Sequence, residues 1–149
     1  MELTHVDKYG RADMVDISSK DVIHREAEAS GKIFLDPGTL DLIKNNLIKK
    51  GDVLSVARIA GIGGAKKTSE LIPLCHNIPI NKIDVDFEME KDGIRITSTA
   101  VCDAKTGIEM EAITAVSIAA LTIYDMCKAV DKNMKISNIF ITEKRKNEV

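Results

Sequence analysis

The stretch Ile83-Asp84-Val85-Asp86-Phe87-Glu88-Met89-Glu90-Lys91-Asp92-Gly93-Ile94-Arg95-Ile96-Thr97-Ser98-Thr99-Ala100 decides the fold. Ile83, Val85, Phe87 and Met89 alternate with Asp84, Asp86, Glu88 and Glu90, the period-two pattern of a strand with one buried face. Lys91-Asp92-Gly93 turns the chain, and Ile94, Ile96, Ser98 and Ala100 continue the alternation, so the two runs pair as a hairpin.

Upstream, Val22 to Ala29 also alternates, with Val22, His24, Glu26 and Glu28 on one side and Ile23, Arg25, Ala27 and Ala29 on the other. This strand extends through Ile33-Phe34-Leu35 with a break near Gly31, and Arg25 is out of place on its smaller-residue face. Asp36-Pro37-Gly38-Thr39 reads as a turn with a helix-capping Thr, after which Leu40, Ile43, Leu47 and Ile48 recur at helical spacing. Lys49-Lys50-Gly51-Asp52 closes that helix, and Asp52 caps a second one carrying Val53, Val56, Ala57 and Ala60. The second helix ends by Leu71-Ile72, since Pro73 disfavours helix at the residue before it.

Downstream of the hairpin, a long helix from about Glu109 to Val130 precedes a last strand, Lys135 to Thr142. The order is β-α-α-β-β-α-β. With the two early helices counted as one crossover, this is the ferredoxin-like pattern, an α+β fold with an antiparallel sheet and helices packed on one face. No repeat or linker divides the chain, so residues 1–149 read as a single domain, with 1–21 as an N-terminal arm.

Fold alone does not name function. The RNA-recognition module shares this topology but needs aromatics on its third strand, and Ile94 to Ala100 has none. Five aromatics (Tyr 2, Phe 3) and no Trp also argue against a flat base-stacking surface. The 149 residues are 44% hydrophobic and 30% charged, enough for a packed core, and 21 basic against 23 acidic side chains argue against a polyanion-binding surface. The longest uncharged run, Ala112 to Tyr124, is short of the roughly 20 residues a membrane span takes. No basic head and apolar run open the chain, so a cytoplasmic protein is expected. Cys75, Cys102 and Cys127 are odd in number and widely spaced, and His5, His24 and His76 lack ligand spacing, so neither a disulfide framework nor a resident metal is expected.

Four segments carry candidate chemistry. Gly61-Ile62-Gly63-Gly64-Ala65-Lys66-Lys67-Thr68 fails the phosphate-loop pattern, because Lys66 stands where a glycine is required. Its glycines suggest close backbone packing, and its lysines fit an anion site or a solvated pair equally well. Leu71-Ile72-Pro73-Leu74-Cys75-His76-Asn77-Ile78-Pro79 is a loop stiffened by two prolines, in which His76 is either a core residue or a ligand contact. Cys75 is reactive only if its thiolate is stabilised, and nothing in the sequence says so. At the start of the long helix, Met110-Glu111 follows Lys105-Thr106-Gly107, a turn able to meet a ligand. Near its end, Asp125 and Lys128 are neighbours on one face. They form either a surface pair worth about 0.2–0.5 kcal/mol or an acid–base pair beside a phosphate.

Glu111 and Asp125 are fourteen positions apart, about 21 Å along one helix at 1.5 Å per residue. A nucleotide-sized ligand that uses both ends takes them from different subunits, which predicts a homo-oligomer with composite sites.

The run Gly107-Ile108-Glu109-Met110-Glu111-Ala112 through Leu121-Thr122-Ile123-Tyr124-Asp125-Met126-Cys127-Lys128-Ala129-Val130 resembles the molybdenum cofactor biosynthesis protein C family. The resemblance continues in Leu3-Thr4-His5, Met14-Val15-Asp16-Ile17, Lys50-Gly51-Asp52-Val53, Ala57-Arg58-Ile59-Ala60-Gly61-Ile62 and Leu71-Ile72-Pro73-Leu74-Cys75-His76, nearly the whole chain. It implies a lyase that takes a small-molecule, nucleotide-derived substrate, a cyclised dihydro-GTP, rearranges it to cyclic pyranopterin monophosphate and releases pyrophosphate. It implies substrate contacts at Leu74, Cys75, His76, Met110 and Glu111, an active-site role for Asp125, and general-acid and phosphate-binding roles for Lys50 and Lys128. Lys66 and Arg25 are implied as further holders of the triphosphate. The resemblance further implies a ferredoxin-like subunit in a hexamer, a trimer of dimers, with no nucleic acid or membrane partner. No cofactor is expected, with Mg²⁺ able to accompany the pyrophosphate. Lys66-Lys67 departs from the Lys-Arg common among relatives, which removes a bidentate arginine contact at that point. A non-catalytic ligand-binding module on the same fold explains topology and oligomer equally well, but not why Lys50, His76, Glu111, Asp125 and Lys128 all sit in matching contexts.

Overall fold

The computed structural model describes residues 5–147. Its elements run β1 (Ile23–Phe34), α1 (Pro37–Lys44), α2 (Val53–Lys66), α3 (Thr68–Leu71), β2 (Ile80–Glu90), β3 (Gly93–Ala104), α4 (Glu109–Cys127) and β4 (Lys135–Asn147). The four strands form one antiparallel sheet in the order β2-β3-β1-β4. This is the α+β, ferredoxin-like arrangement expected from the alternation. The β2–β3 hairpin pairs Val85 with Ser98 and Phe87 with Ile96, and its turn falls at Lys91-Asp92.

One face of the sheet is apolar, and α2 and α4 cover it. Ala27, Ala29, Ile33, Val85, Ile94, Ile96 and Ala100 meet Ala112, Ala115, Val116, Ala119 and Ile123 of α4 in one core. Small residues set how closely these layers approach. A Cβ at Gly61 would lie 2.8 Å from the Ala115 carbonyl oxygen, so α2 lies almost backbone to backbone on α4. A Cβ at Gly31 would come within 2.7 Å of Val116 Cγ1, which brings α4 onto β1. By length and composition α4 is apolar enough to cross a membrane, yet its buried residues are those packed on the sheet and α2, so it is a core helix.

Several boundaries differ from the sequence reading. α1 starts at Pro37 and not after Thr39: Asp36 stands at the N-cap position without a side-chain capping bond, and Pro37 at the first helical position has no N–H to satisfy and a preset φ. The same helix ends at Lys44 and does not reach Lys50: Asn46 takes a left-handed conformation (φ 54°), and Leu47 is left exposed while Ile48 is buried from an irregular loop. Asp52 caps α2 as its position implies, accepting from the Ser55 N–H at 3.1 Å. β1 runs through Gly31 unbroken on its β3 side; only the β4 register shifts there, as a bulge. α4 stops at Cys127, where the Val130 and Asp131 N–H groups both donate to the Cys127 carbonyl and turn the chain. β4 continues past Thr142 to Asn147 because β1 is long enough to pair with it, Arg25 opposite Lys146.

The other sheet face is polar and laced with charge. His24 lies between Asp103 (2.9 Å) and Glu26 (3.1 Å), Arg145 pairs with Glu26 and Glu143, and Lys32 with Glu90 and Asp92.

Candidate active site

α2 runs antiparallel to α4, since Gly61 packs on Ala115 and Ala119 while Lys50, just before α2, reaches Asp125. The two ends of α4 therefore face different loops. At its C-terminal end, Lys50 Nζ lies 3.0 Å from Asp125 Oδ2 and donates to the Asp125 carbonyl oxygen at 3.1 Å. Lys128 Nζ lies 3.1 Å from Asp125 Oδ1. Each carboxylate oxygen thus holds one ammonium, and all three side chains are partly open to solvent. The hydrogen bonds from Lys50 and then Lys128, reinforced by their charges, hold the Asp125 carboxyl below the ordinary carboxylate range. A carboxylate so depressed is a weak base; what it does well is fix two ammonium groups side by side, an arrangement suited to phosphate oxygens.

Behind Lys128 lies a buried anchor. The Asp131 carboxylate accepts from the Asp36 N–H at 2.8 Å and the Asn133 N–H at 3.0 Å, tying the turn after α4 to the start of α1.

At the N-terminal end of α4 is a cavity of about 180 Å³, lined by Leu74, Cys75, His76, Met110 and Glu111 and also by His5, Ile78, Thr106, Gly107 and Glu109. Glu111 is 3% exposed, and among the described residues no ion pair involves it. Burial pushes its carboxyl above the ordinary value. Burial, with the nearby Glu111, also pushes the Cys75 thiol up, so Cys75 lines this wall as a neutral thiol. His76 Nε2 lies 2.7 Å from the Val15 carbonyl oxygen and donates to it, which ties the loop to the N-terminal arm.

Arg25 is 4% exposed and does not face open solvent. It donates from Nε to the Ala104 carbonyl (3.0 Å), from Nη2 to that of Lys105 (3.1 Å) and from Nη1 to that of Gly107 (3.3 Å). Its place on the small-residue face of β1 is thereby explained: it braces the turn leading into α4. Lys66 is exposed at the end of α2, toward the start of α4.

The structure thus gathers Lys50, Asp125 and Lys128 at one end of α4 and Leu74, Cys75, His76, Met110 and Glu111 at the other. It adds Lys144, which pairs with Glu109 and whose ammonium is pulled below its ordinary value by burial and by Lys146, Arg25 and Lys20. Sequence reasoning named Arg25 but missed Lys20, Lys144 and Lys146, because they come from the arm and β4, far from Arg25 and Glu109 along the chain. No group of three or more His, Cys, Asp or Glu able to hold a metal occurs among the described residues.

The MoaC family model matches residues 14–147, from the arm to the end of β4. The chain belongs to the MoaC family. It is 54% identical over 144 residues to the cyclic pyranopterin monophosphate synthase of Peptoclostridium acidaminophilum, an alignment covering 97% of this chain and 92% of that protein. It is 53% identical over 146 residues to the protein of the same name from Chloroflexus aurantiacus, covering 97% of this chain and 90% of that one. A molybdenum cofactor biosynthesis bifunctional protein of Chlorobaculum tepidum is 51% identical over 144 residues, and there the match takes in 46% of the relative. The MoaC match thus spans both residue groups on α4 and the loops that meet them.

Proposed function

We propose that this MoaC-family chain is a lyase of molybdenum cofactor biosynthesis, converting the cyclised dihydro-GTP, (8S)-3',8-cyclo-7,8-dihydroguanosine 5'-triphosphate, to cyclic pyranopterin monophosphate with release of pyrophosphate. The observation that carries the reading is the Lys50–Asp125–Lys128 cluster, with an ammonium on each oxygen of one carboxylate. Departure of pyrophosphate and closure of the cyclic phosphate build negative charge on phosphate oxygens. Two fixed ammonium groups stabilise that charge as it develops and are already oriented when it does. Lys50 and Lys128 are the proton donors and phosphate holders, and Asp125 keeps them in place.

The cavity at the start of α4 receives the ring system. Its wall is apolar at Leu74, Ile78 and Met110, with polar contacts from His76 and Glu111. Glu111 and Asp125 lie in the first and last turns of one continuous helix, about 21 Å apart by helical rise. One ligand meets both when the cavity of one subunit faces the lysine cluster of another. The working form in this reading is a homohexamer, a trimer of dimers with sites shared between subunits, in the cytoplasm. It has no resident cofactor, and Mg²⁺ accompanies the pyrophosphate where it is needed. Lys66 and the Lys20–Lys144–Lys146 group supply further positive charge for the triphosphate.

The test is to supply the purified chain anaerobically with the cyclised dihydro-GTP and follow pyrophosphate and cyclic pyranopterin monophosphate together. Equal amounts of both establish the lyase; bound but unchanged substrate points to a binding module, and no binding removes the reading.

A further inference from the structure

A second cavity, of about 250 Å³, adjoins the first; its wall includes Ile17 of the arm and Val22 just before β1, and the two share His76, Ile78 and Thr106. Nucleotide-sized ligands occupy pockets of roughly 300–1,000 Å³, so neither space alone admits one. The arm passes at their common wall. The Val15 carbonyl takes the His76 Nε2–H at 2.7 Å, and Lys105 Nζ donates to the Ser18 carbonyl at 3.1 Å. Among the described residues no ion pair joins residues 5–18 to the body of the protein, so opening breaks few contacts.

The arm is nonetheless shaped. Asp7 accepts from the N–H groups of Tyr9 (2.8 Å) and Arg11 (3.0 Å), Val6 bridges Ala12, and the Asp13 N–H donates to the His5 carbonyl at 2.9 Å. This small turn returns the chain and sets the His5 side chain on the cavity wall with Cys75, His76 and Glu111. The segment therefore behaves as a preformed piece, hinged on two hydrogen bonds to the binding loops and carrying one imidazole toward the ligand space.

We propose that residues 5–18 are a strap that closes over bound ligand, and that His5 is its contact with that ligand, a phosphate-bearing, nucleotide-derived ring compound. The His5 part rests on the reading that this cavity takes the substrate. Opening the strap joins the two cavities and admits the ligand, and seating it again over the ligand excludes water from the ring site.

Trypsin cleavage after Lys8 and Arg11 in the full-length protein reads the strap directly. Lys105→Ala is expected to speed cleavage in the absence of ligand, because one of the two tethers is gone. Saturating cyclised dihydro-GTP or its cyclic product should slow cleavage of the wild type by about tenfold and leave that of His5→Ala unchanged, the loss of one ligand hydrogen bond. His5→Ala should raise KM about tenfold while moving kcat far less, with partial recovery in His5→Gln. Equal cleavage of wild type and Lys105→Ala with no ligand effect overturns the strap. An unchanged KM in His5→Ala overturns the contact. If the wild type neither binds nor converts the compound, the activity reading and the His5 contact fall together, while ligand-free cleavage of Lys105→Ala still decides the strap.

Discussion

The two ends of α4 are built from one helix and do opposite things with charge. At the start, Glu111 is shut away among Leu74, Cys75 and Met110, and burial makes its carboxyl reluctant to ionise. At the end, Asp125 is open to water between two lysines and ionises more readily than usual. Removal from water dominates in the first case and opposite charge in the second. On the proposed function, recognition of a ring and handling of phosphate are separated along a rigid rod, so that one ligand meets both only across two subunits.

The sharpest way to break this contrast is at Asp125. Asp125→Asn keeps the shape but releases both ammonium groups, and turnover should fall by about 10²–10³, the scale of losing a fixed electrostatic contact. Because the side chain is more than half exposed, the thermal midpoint should barely move. Full activity in this variant removes the C-terminal end of α4 from the chemistry.

Next in size is a subunit-mixing experiment. Glu111→Gln and Asp125→Asn should each be poorly active alone. Co-folded in equal amounts, they should regain about a quarter of wild-type activity, since half of random pairs are mixed and each mixed pair holds one intact site of two. Recovery that stays at the sum of the two variants would place both ends in one subunit's site.

Glu111→Gln also sharpens the comparison through stability. A carboxyl whose folded-state pKa lies above its unfolded value binds more protons when folded, so the native state loses stability as pH rises from the ordinary glutamate value toward the raised one. The variant should therefore melt a few degrees higher than wild type at neutral pH, with the gap closing in acid. Denaturation midpoints at several pH values check this; a lower midpoint for the variant at neutral pH would mean that the buried carboxylate is held by a favourable partner.

The smallest effect is on the far sheet face. Hydrogen bonds from Asp103 and then Glu26 raise the His24 pKa. Its contribution is fully present below the unfolded histidine value and is lost as pH rises through the raised folded value. His24→Gln should flatten that decline while leaving turnover unchanged, measurable as the difference in denaturation midpoints as pH rises above the ordinary histidine value.

Much of this architecture was legible in advance where a pattern is local. Alternation from Ile83 to Ala100 specified the hairpin, and Asp52 announced the start of α2. The start of α1 differs from the threonine cap expected because proline chemistry at Pro37 outranks it, and α1 ends early because Asn46 adopts a left-handed turn that helical spacing alone does not exclude. At the site, the pairing of Asp125 with Lys128 follows from helical spacing, whereas Lys50 is 75 residues from Asp125 and no local rule links them. Arg25 shows the same limit: its odd place in the alternation was visible, but not the three carbonyls it braces.

What the sequence determined by itself is whatever depends on fixed backbone periods. Side chains alternate across a strand, and a helix rises 1.5 Å per residue, so the sheet face and the span between Glu111 and Asp125 follow from spacing alone. Only the tertiary structure decided which distant groups meet: Lys50 at Asp125, Lys144 at Glu109, the arm at His76, and His5 on the cavity wall. The reason is that such contacts depend on how α4 seats against the sheet and α2. That seating comes from the close approach at Gly31 and Gly61, a property of packed surfaces and not of any one segment.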